Sequence, residues 1–398
     1  MSSNRHDPMS VELQRRVRAG TLSRRDAVRI LTALGLTAAG ASTHRGVGAQ
    51  EATPDSPAMA TPSLGMRPDG TRMWRVQVSG GSEADLLEFM TFFPRELTIN
   101  AGDTVFFDFQ GLFAPHTVTF LAGQETPPLI VPADDSAATP AGDEPPTVMF
   151  NPAASFPAGG AIYDGTSIVN SGLNVLRPPD QPFALTFTTP GTFDYLCLVH
   201  PMMMMGTVTV QTQGATVPHE QADVDAIVAE QMATLLDQGR AMIARSGASA
   251  TPGTSPDGEN VWDVRAGVEG DEFAALRFFP DQLTIKAGDT VRWTADSEFE
   301  PHTVTFLGGE EPPDLIVPEP QQDGPLKLIV NPAVVQRAGS PVYNGTGYAN
   351  SGTMGADFAP FTGLTTYELT FDTPGEYLYY CALHGSPTRG MRAMVTVT

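Results

Sequence analysis

Most of this chain is one unit written twice, and a long internal repeat constrains a fold more tightly than any local propensity. Phe92-Phe93-Pro94 through Leu97-Thr98-Ile99-Asn100-Ala101-Gly102-Asp103-Thr104-Val105 returns 186 residues later. The copy runs from Phe278-Phe279-Pro280 through Leu283-Thr284-Ile285-Lys286-Ala287-Gly288-Asp289-Thr290-Val291. Pro115-His116-Thr117-Val118-Thr119-Phe120-Leu121 returns as Pro301-His302-Thr303-Val304-Thr305-Phe306-Leu307, and Asn170-Ser171-Gly172 as Asn350-Ser351-Gly352. Each copy occupies about 140 residues, too long for a solenoid repeat and the size of an independent domain.

Within each copy the hydrophobic period is two. Trp74, Val76 and Val78 alternate with polar residues, as do Trp262 and Val264. Leu97 and Ile99, Val105 and Phe107, Val118 and Phe120, then Phe183, Leu185 and Phe187, and Val208 and Val210 continue the pattern. Ala-Gly-Asp and Thr-Pro-Gly steps between these runs are turn chemistry. Short strands with one apolar face, separated by turns, predict an all-β chain of two tandem β-sandwiches, over residues 71–212 and 259–398. Hydrophobic residues make up 41% of the chain, enough for two cores. Residues 213–258 break the pattern. Val224, Ile227, Val228, Met232, Leu235, Leu236, Met242 and Ile243 fall at helical spacing, which predicts a helical linker packed on its own sandwich or on a partner.

The first 49 residues read as an export signal. Ser23-Arg24-Arg25-Asp26 precedes an apolar, small-residue run from Ile30 to about Ser42, and Val47-Gly48-Ala49 resembles a signal-peptidase site. The adjacent arginines resemble a twin-arginine signal, with Ala27 where that pattern usually has Phe. The run is too short to span a bilayer, so the mature chain is expected to have no stable membrane span and to work in the periplasm or outside the cell. Residues 50–70 read as a flexible tether.

Chemistry concentrates in very few residues. The chain has two cysteines and seven histidines. Each Cys ends an equivalent strand and is followed at the same spacing by His, as Cys197-Leu198-Val199-His200 and Cys381-Ala382-Leu383-His384. A disulfide would have to join corresponding points of two separate domains, so free thiols are expected. His6 and His44 leave with the signal, and of the remaining five only His219 lies outside the two His…Cys-x2-His sets formed by His116, His200, His302 and His384. One thiolate and two imidazoles suit copper, with a weak axial Met completing a blue-copper pattern, whereas structural zinc sites favour four strong ligands.

The Ala-Gly-Asp-Thr-Val strand, the Pro-His-Thr-Val strand and the Cys-x2-His…Met loop before Val-Thr-Val resemble the plastocyanin/azurin family of cupredoxins, in both repeats. The resemblance implies Greek-key cupredoxin sandwiches, each holding one type 1 copper, with His116, Cys197 and His200 at one site and His302, Cys381 and His384 at the other. The axial ligand is less direct. Met391 precedes Val395-Thr396-Val397 by the family's step, while Met394 belongs to the closing strand. In the first repeat the strand register before Val208 selects Met204, and counting forward from His200 selects Met205. The second His usually forms the exposed edge in this family, which makes His200 and His384 the expected electron exit points. About 80 residues separate the first His from Cys in each copy, longer than in small cupredoxins, and this insertion either covers a site or forms the contact between domains.

Two-domain cupredoxin oxidases and nitrite reductases add a copper site built from further histidines, often His-x-His. Here no His-x-His occurs and only His219 is left over, so an electron carrier is expected and an enzyme is not. The alternatives are a copper storage module that uses the Met202–Met205 run and, behind it, a two-domain copper oxidase. The formal charge of −22 excludes nucleic-acid phosphates as a partner, and loss of residues 1–49 takes it to near −27. Such a charge steers a cationic redox partner, for example a basic cytochrome.

Overall fold

The computed structural model describes residues 64–133, 147–177, 182–247, 253–254 and 260–398 except 322–325, 359 and 362. The export signal and most of the tether lie outside the described residues. At the tether's end, Gly65–Met66 already pairs with Arg72 and Met73.

The first unit contains β1 (Arg72–Val78), β2 (Leu87–Phe89), β3 (Glu96–Asn100), β4 (Thr104–Phe109), β5 (Thr119–Phe120), β6 (Val148–Phe150), β7 (Phe183–Phe187), β8 (Gly191–Leu196) and β9 (Met205–Gln211). One sheet pairs β1 parallel to β4 and β4 antiparallel to β7; the other joins β5, β8, β9 and β3. The inward residues of both sheets are those of the period-two pattern, and Val76, Ile99, Val105, Val118, Phe120, Leu185, Phe187 and Val208 have no measurable exposure. After α1 (Gln221–Ser246), the second unit repeats the plan with β10 (Asn260–Glu269), β11 (Phe273–Phe279), β12 (Gln282–Ile285), β13 (Thr290–Thr294), β14 (Thr305–Phe306), β15 (Lys327–Val330), β16 (Thr366–Phe371), β17 (Gly375–Gly385) and β18 (Gly390–Val397). The chain is therefore two tandem β-sandwiches.

The Ala-Gly-Asp turn is built around its aspartate. The buried Asp103 carboxylate accepts from the backbone N–H of Arg72 (2.7 Å) and Asn100 (3.0 Å) and from Trp74 Nε1 (3.0 Å), tying β1 to the β3–β4 turn. Asp289 does the same with Lys286 N and Trp262 Nε1. Asp103→Ala strands these donors in a buried position, and urea denaturation should show a loss of about 2–4 kcal/mol.

The two units share their sheets. Strand β2 pairs antiparallel with β11, setting Glu88 opposite Ala274, and β6 pairs with β15, setting Met149 opposite Ile329. Glu88 and Ala274 are the same repeat position, as are Met149 and Ile329, so a pseudo-two-fold axis passes between them. The long insertion, through β6 and β15, thus forms the contact between domains. Helix α1 opens with a capping box between Glu220 and Asp223. It packs Leu235 on Leu87, Phe89, Phe273 and Phe279, so it covers the junction of both units rather than its own sandwich alone. None of the described helices is long and apolar enough to cross a membrane.

Candidate metal centre

In each unit the first His enters from the segment before β5 or β14; Cys197 and His200 follow the end of β8, while Cys381 and His384 lie inside β17 in the irregular stretch between Tyr380 and Gly385. The geometry brings His116, Cys197 and His200 together, and likewise His302, Cys381 and His384, with the ligand atoms of each group within 4.8 Å of one another. Cys197 Sγ lies 3.9 Å from His116 Nδ1 and 3.7 Å from His200 Nδ1; Cys381 Sγ lies 3.7 Å from His384 Nδ1. All six residues are buried, and both cysteines are free thiols as expected.

The surroundings fix these atoms from behind. Each sulfur accepts a backbone N–H at 3.3 Å, from Thr117 or Thr303. The hydroxyls of those threonines accept from Leu198 N and Ala382 N at 2.7 Å, holding the loop after each Cys. Asn170 and Asn350 explain the repeated Asn-Ser-Gly. Each amide donates to carbonyls of the one-turn helix in the insertion (Ala154 O at 3.1 Å, Val334 O at 2.8 Å), and each Oδ1 accepts from the threonine hydroxyl of β5 or β14.

Burial alone would raise both thiols, but contact with the paired imidazoles outweighs it and holds them well below the ordinary thiol range, as thiolates. His302 Nδ1 is buried without a hydrogen-bond partner. A buried nitrogen left unsatisfied beside a thiolate is costly in a protein that binds nothing there and is what a soft-metal ligand set requires. The residues fit copper.

Met204 is buried in the same core as Cys197; its carbonyl accepts from Cys197 N at 2.9 Å and its N–H donates to His200 O at 3.0 Å. Met205 is 46% exposed and Met202 88% exposed. Met391 is fully buried at the start of β18, and Met394 sits inside that strand opposite Leu378.

One expectation is overturned. His200 and His384 are not exposed edges: their side chains are 2% and 5% exposed, and Glu300 of the second unit sits over both. Between them lies a buried carboxylate that the sequence reading passed over. Glu300 places Oε1 2.7 Å from His200 Nε2 and Oε2 2.8 Å from His384 Nε2. The Oε1 contact is short but off the hydrogen-bond axis, so it is chiefly a charge contact. Burial alone would lower both imidazoles, but the Glu300 charge and the neighbouring thiolate pull each up to about 10 in the metal-free site. The same two imidazoles outweigh burial at Glu300 and hold its carboxyl far below the usual range.

A second carboxylate, Glu88, serves one site only. Its Oε1 lies 3.2 Å from His116 Nε2, and its oxygens accept from Leu112 N and Phe113 N. His302 Nε2 has no such partner and lies against the backbone of Gly267. Both carboxylates break the repeat, since Ala274 stands where Glu88 would recur and Ala114 where Glu300 would precede. That mismatch, a lone acid in the apolar run Leu87-Glu88-Phe89, was the signal available.

Glu269 holds the Glu300 loop by accepting from Glu298 N and Glu300 N, both at 2.8 Å. Burial pushes it up to about 7 against these N–H groups, and the Glu300 charge adds to the rise. A carboxyl raised in the fold favours the protonated form, so its contribution is full below about pH 4.5 and is lost as pH rises through about 7. Unfolding free energies from urea titrations between pH 5 and 8.5 at constant copper loading should fall with pH, by up to about 3 kcal/mol, and fall less in Glu269→Gln.

Residues 79–211 match the family model of copper binding proteins of the plastocyanin/azurin family. Among solved structures, a methionine-to-alanine mutant of amicyanin in its Cu(I) form is 21% identical, over 38% of this chain and 94% of that one, with a TM-score of 0.20. A reduced tryptophan-to-tyrosine mutant of amicyanin is 22% identical over 38% and 99%, also with a TM-score of 0.20. No curated protein matches the chain. The family match spans β2 to β9 and takes in all of His116, Cys197, His200 and Met204. Over residues 79–211 the first unit thus matches the copper binding proteins of the plastocyanin/azurin family.

Proposed function

We propose that this is an exported blue copper protein that holds two type 1 coppers and carries single electrons between redox partners. The observation that supports it is the pair of buried groups, each presenting two imidazole Nδ1 atoms to one thiolate. His116, Cys197, His200 and Met204 would hold one copper, and His302, Cys381, His384 and Met391 the other. A bound copper supplies a reversible one-electron couple. The protein's part is to keep three strong ligands fixed in a dry site, so that little rearranges when an electron arrives, and to tune the sulfur through the Thr117 and Thr303 N–H groups.

With His200 and His384 turned inward, the surface next to the first site is the Pro201–Met205 loop, where exposed Met202 and Met205 form a soft contact patch for the partner. The net negative charge favours a basic one. The preference for a carrier over an oxidase rests on the sequence, which leaves only His219, exposed beside α1, once the two ligand sets are assigned. Titration with Cu(II), followed by visible absorption, electron paramagnetic resonance and metal analysis, tests the reading. An intense blue band that saturates at two coppers per chain and bleaches reversibly is expected. A colourless protein, or one that takes up many Cu(I) ions without a reversible couple, supports the storage module instead.

A further inference from the structure

Two buried carboxylates remain outside the ligand sets, and their placement is unequal. Glu300 stands between the two units and touches the inner histidine of each. Glu88 touches a histidine of the first site alone. A metal-bound imidazole uses Nδ1 for the metal and turns its Nε2–H outward, and a carboxylate there makes the ligand more basic. One carboxylate whose two oxygens each meet one such imidazole joins the two sites, so a change of charge at one is felt at the other.

Resting on the two-site reading above, we propose that Glu300 is an internal bridge through which one electron passes from the His116–Cys197–His200 site to the His302–Cys381–His384 site, with Glu88 setting that direction. The route runs from the first site through His200, across two nitrogen-to-oxygen contacts of 2.7 and 2.8 Å, and through His384 to the second site. All three side chains on it are buried and no wider gap between them intervenes, and electronic coupling falls steeply with such gaps. In the step, reduced copper at the first site gives up one electron and oxidised copper at the second gains it. The step moves the electron alone and breaks no bond to protein. Glu88 supplies the bias. A buried carboxylate 3.2 Å from His116 Nε2, held by the Leu112 and Phe113 N–H groups, favours the more positive, oxidised state at the first site, while His302 Nε2 has no hydrogen-bond partner and lies against Gly267. The first site is therefore the donor and the second the acceptor.

The inward turn of both histidines gives this arrangement its use. The exposed Met202 and Met205 border the first site only, so an electron that enters there reaches the second through the bridge.

The experiment uses the full copper-loaded chain. Cys197→Ser and Cys381→Ser provide the reference spectra of each site alone. A pulse of reductant worth one electron per chain is then followed optically and by electron paramagnetic resonance, in wild type, Glu300→Gln, Glu300→Asp and Glu88→Gln. In wild type the electron should settle on the second site at a rate independent of protein concentration. Glu300→Gln should slow that equilibration by about tenfold or more. Glu300→Asp keeps the charge, and with it the fold, but is too short to reach both rings, and should slow it as well. Glu88→Gln should reduce the preference for the second site, with only the smaller change in rate that the reduced driving force brings. Unchanged rates in both Glu300 variants, with both sites loaded, overturn the bridge alone. A wild-type chain that binds copper at one site overturns the two-site reading and the bridge with it.

Discussion

Cys197→Ser and Cys381→Ser should each remove half of the blue absorption and one copper per chain, and the double variant should be colourless. The intense band of such a site arises from the thiolate, and each sulfur is the only soft strong donor within reach of its two imidazoles. A serine hydroxyl stays protonated at neutral pH and is a hard oxygen donor. The loss should therefore be complete at the altered site rather than a tuning of colour. Each Cys lies in its own core, with Met204 beside one and Met391 beside the other, so the remaining site should keep its spectrum. Metal analysis beside the visible spectrum checks both points. Loss of both coppers from a single substitution would mean that the sites form one unit rather than two.

Gly267→Ala should abolish the second site and spare the first. Gly267 sits at a β-bulge in β10 with φ of 75°, a region that favours glycine. A Cβ there would fall 2.0 Å from His302 Nε2. Backbone strain of about 1–2 kcal/mol and a displaced imbedded ring act together. The ring cannot retreat without taking Nδ1 away from Cys381, because Val304 and Thr303 are pinned on either side of the strand by Ser351 and by the Cys381 sulfur. Copper binding should fall to one per chain, with the remaining band matching that of Cys381→Ser. Two coppers and an unchanged spectrum would show that His302 is not held as described.

The sandwiches were readable because their information is local. Alternation in Trp74, Val76 and Val78 fixes which face is buried whatever the rest of the chain does, and Asp103 and Asp289 mark their turns by sequence alone. The His–Cys–His groups were readable because the repeat shows each residue twice. What the reading missed depends on how the two units meet. His200 and His384 lose their exposure through a second unit whose approach is set by β2 on β11 and β6 on β15, pairings roughly 180 residues apart that no periodicity encodes. Glu88 and Glu300 stood out only as mismatches between copies. Without the interface, a mismatch has no meaning.

The pseudo-two-fold axis places Glu88 opposite Ala274 and brings one Glu300 to two histidines. In a dimer of identical halves, symmetry would force Glu88 to face its own copy across the strand pair and would crowd two carboxylates between the inner rings, since like charges directly opposite are destabilising. Covalent fusion of the halves removes that obligation. Each buried acid can be kept on one side and replaced by alanine on the other, so the joined chain can be polar in a place where a true homodimer would have to be neutral. The covalent link between the copies is thus what permits their difference.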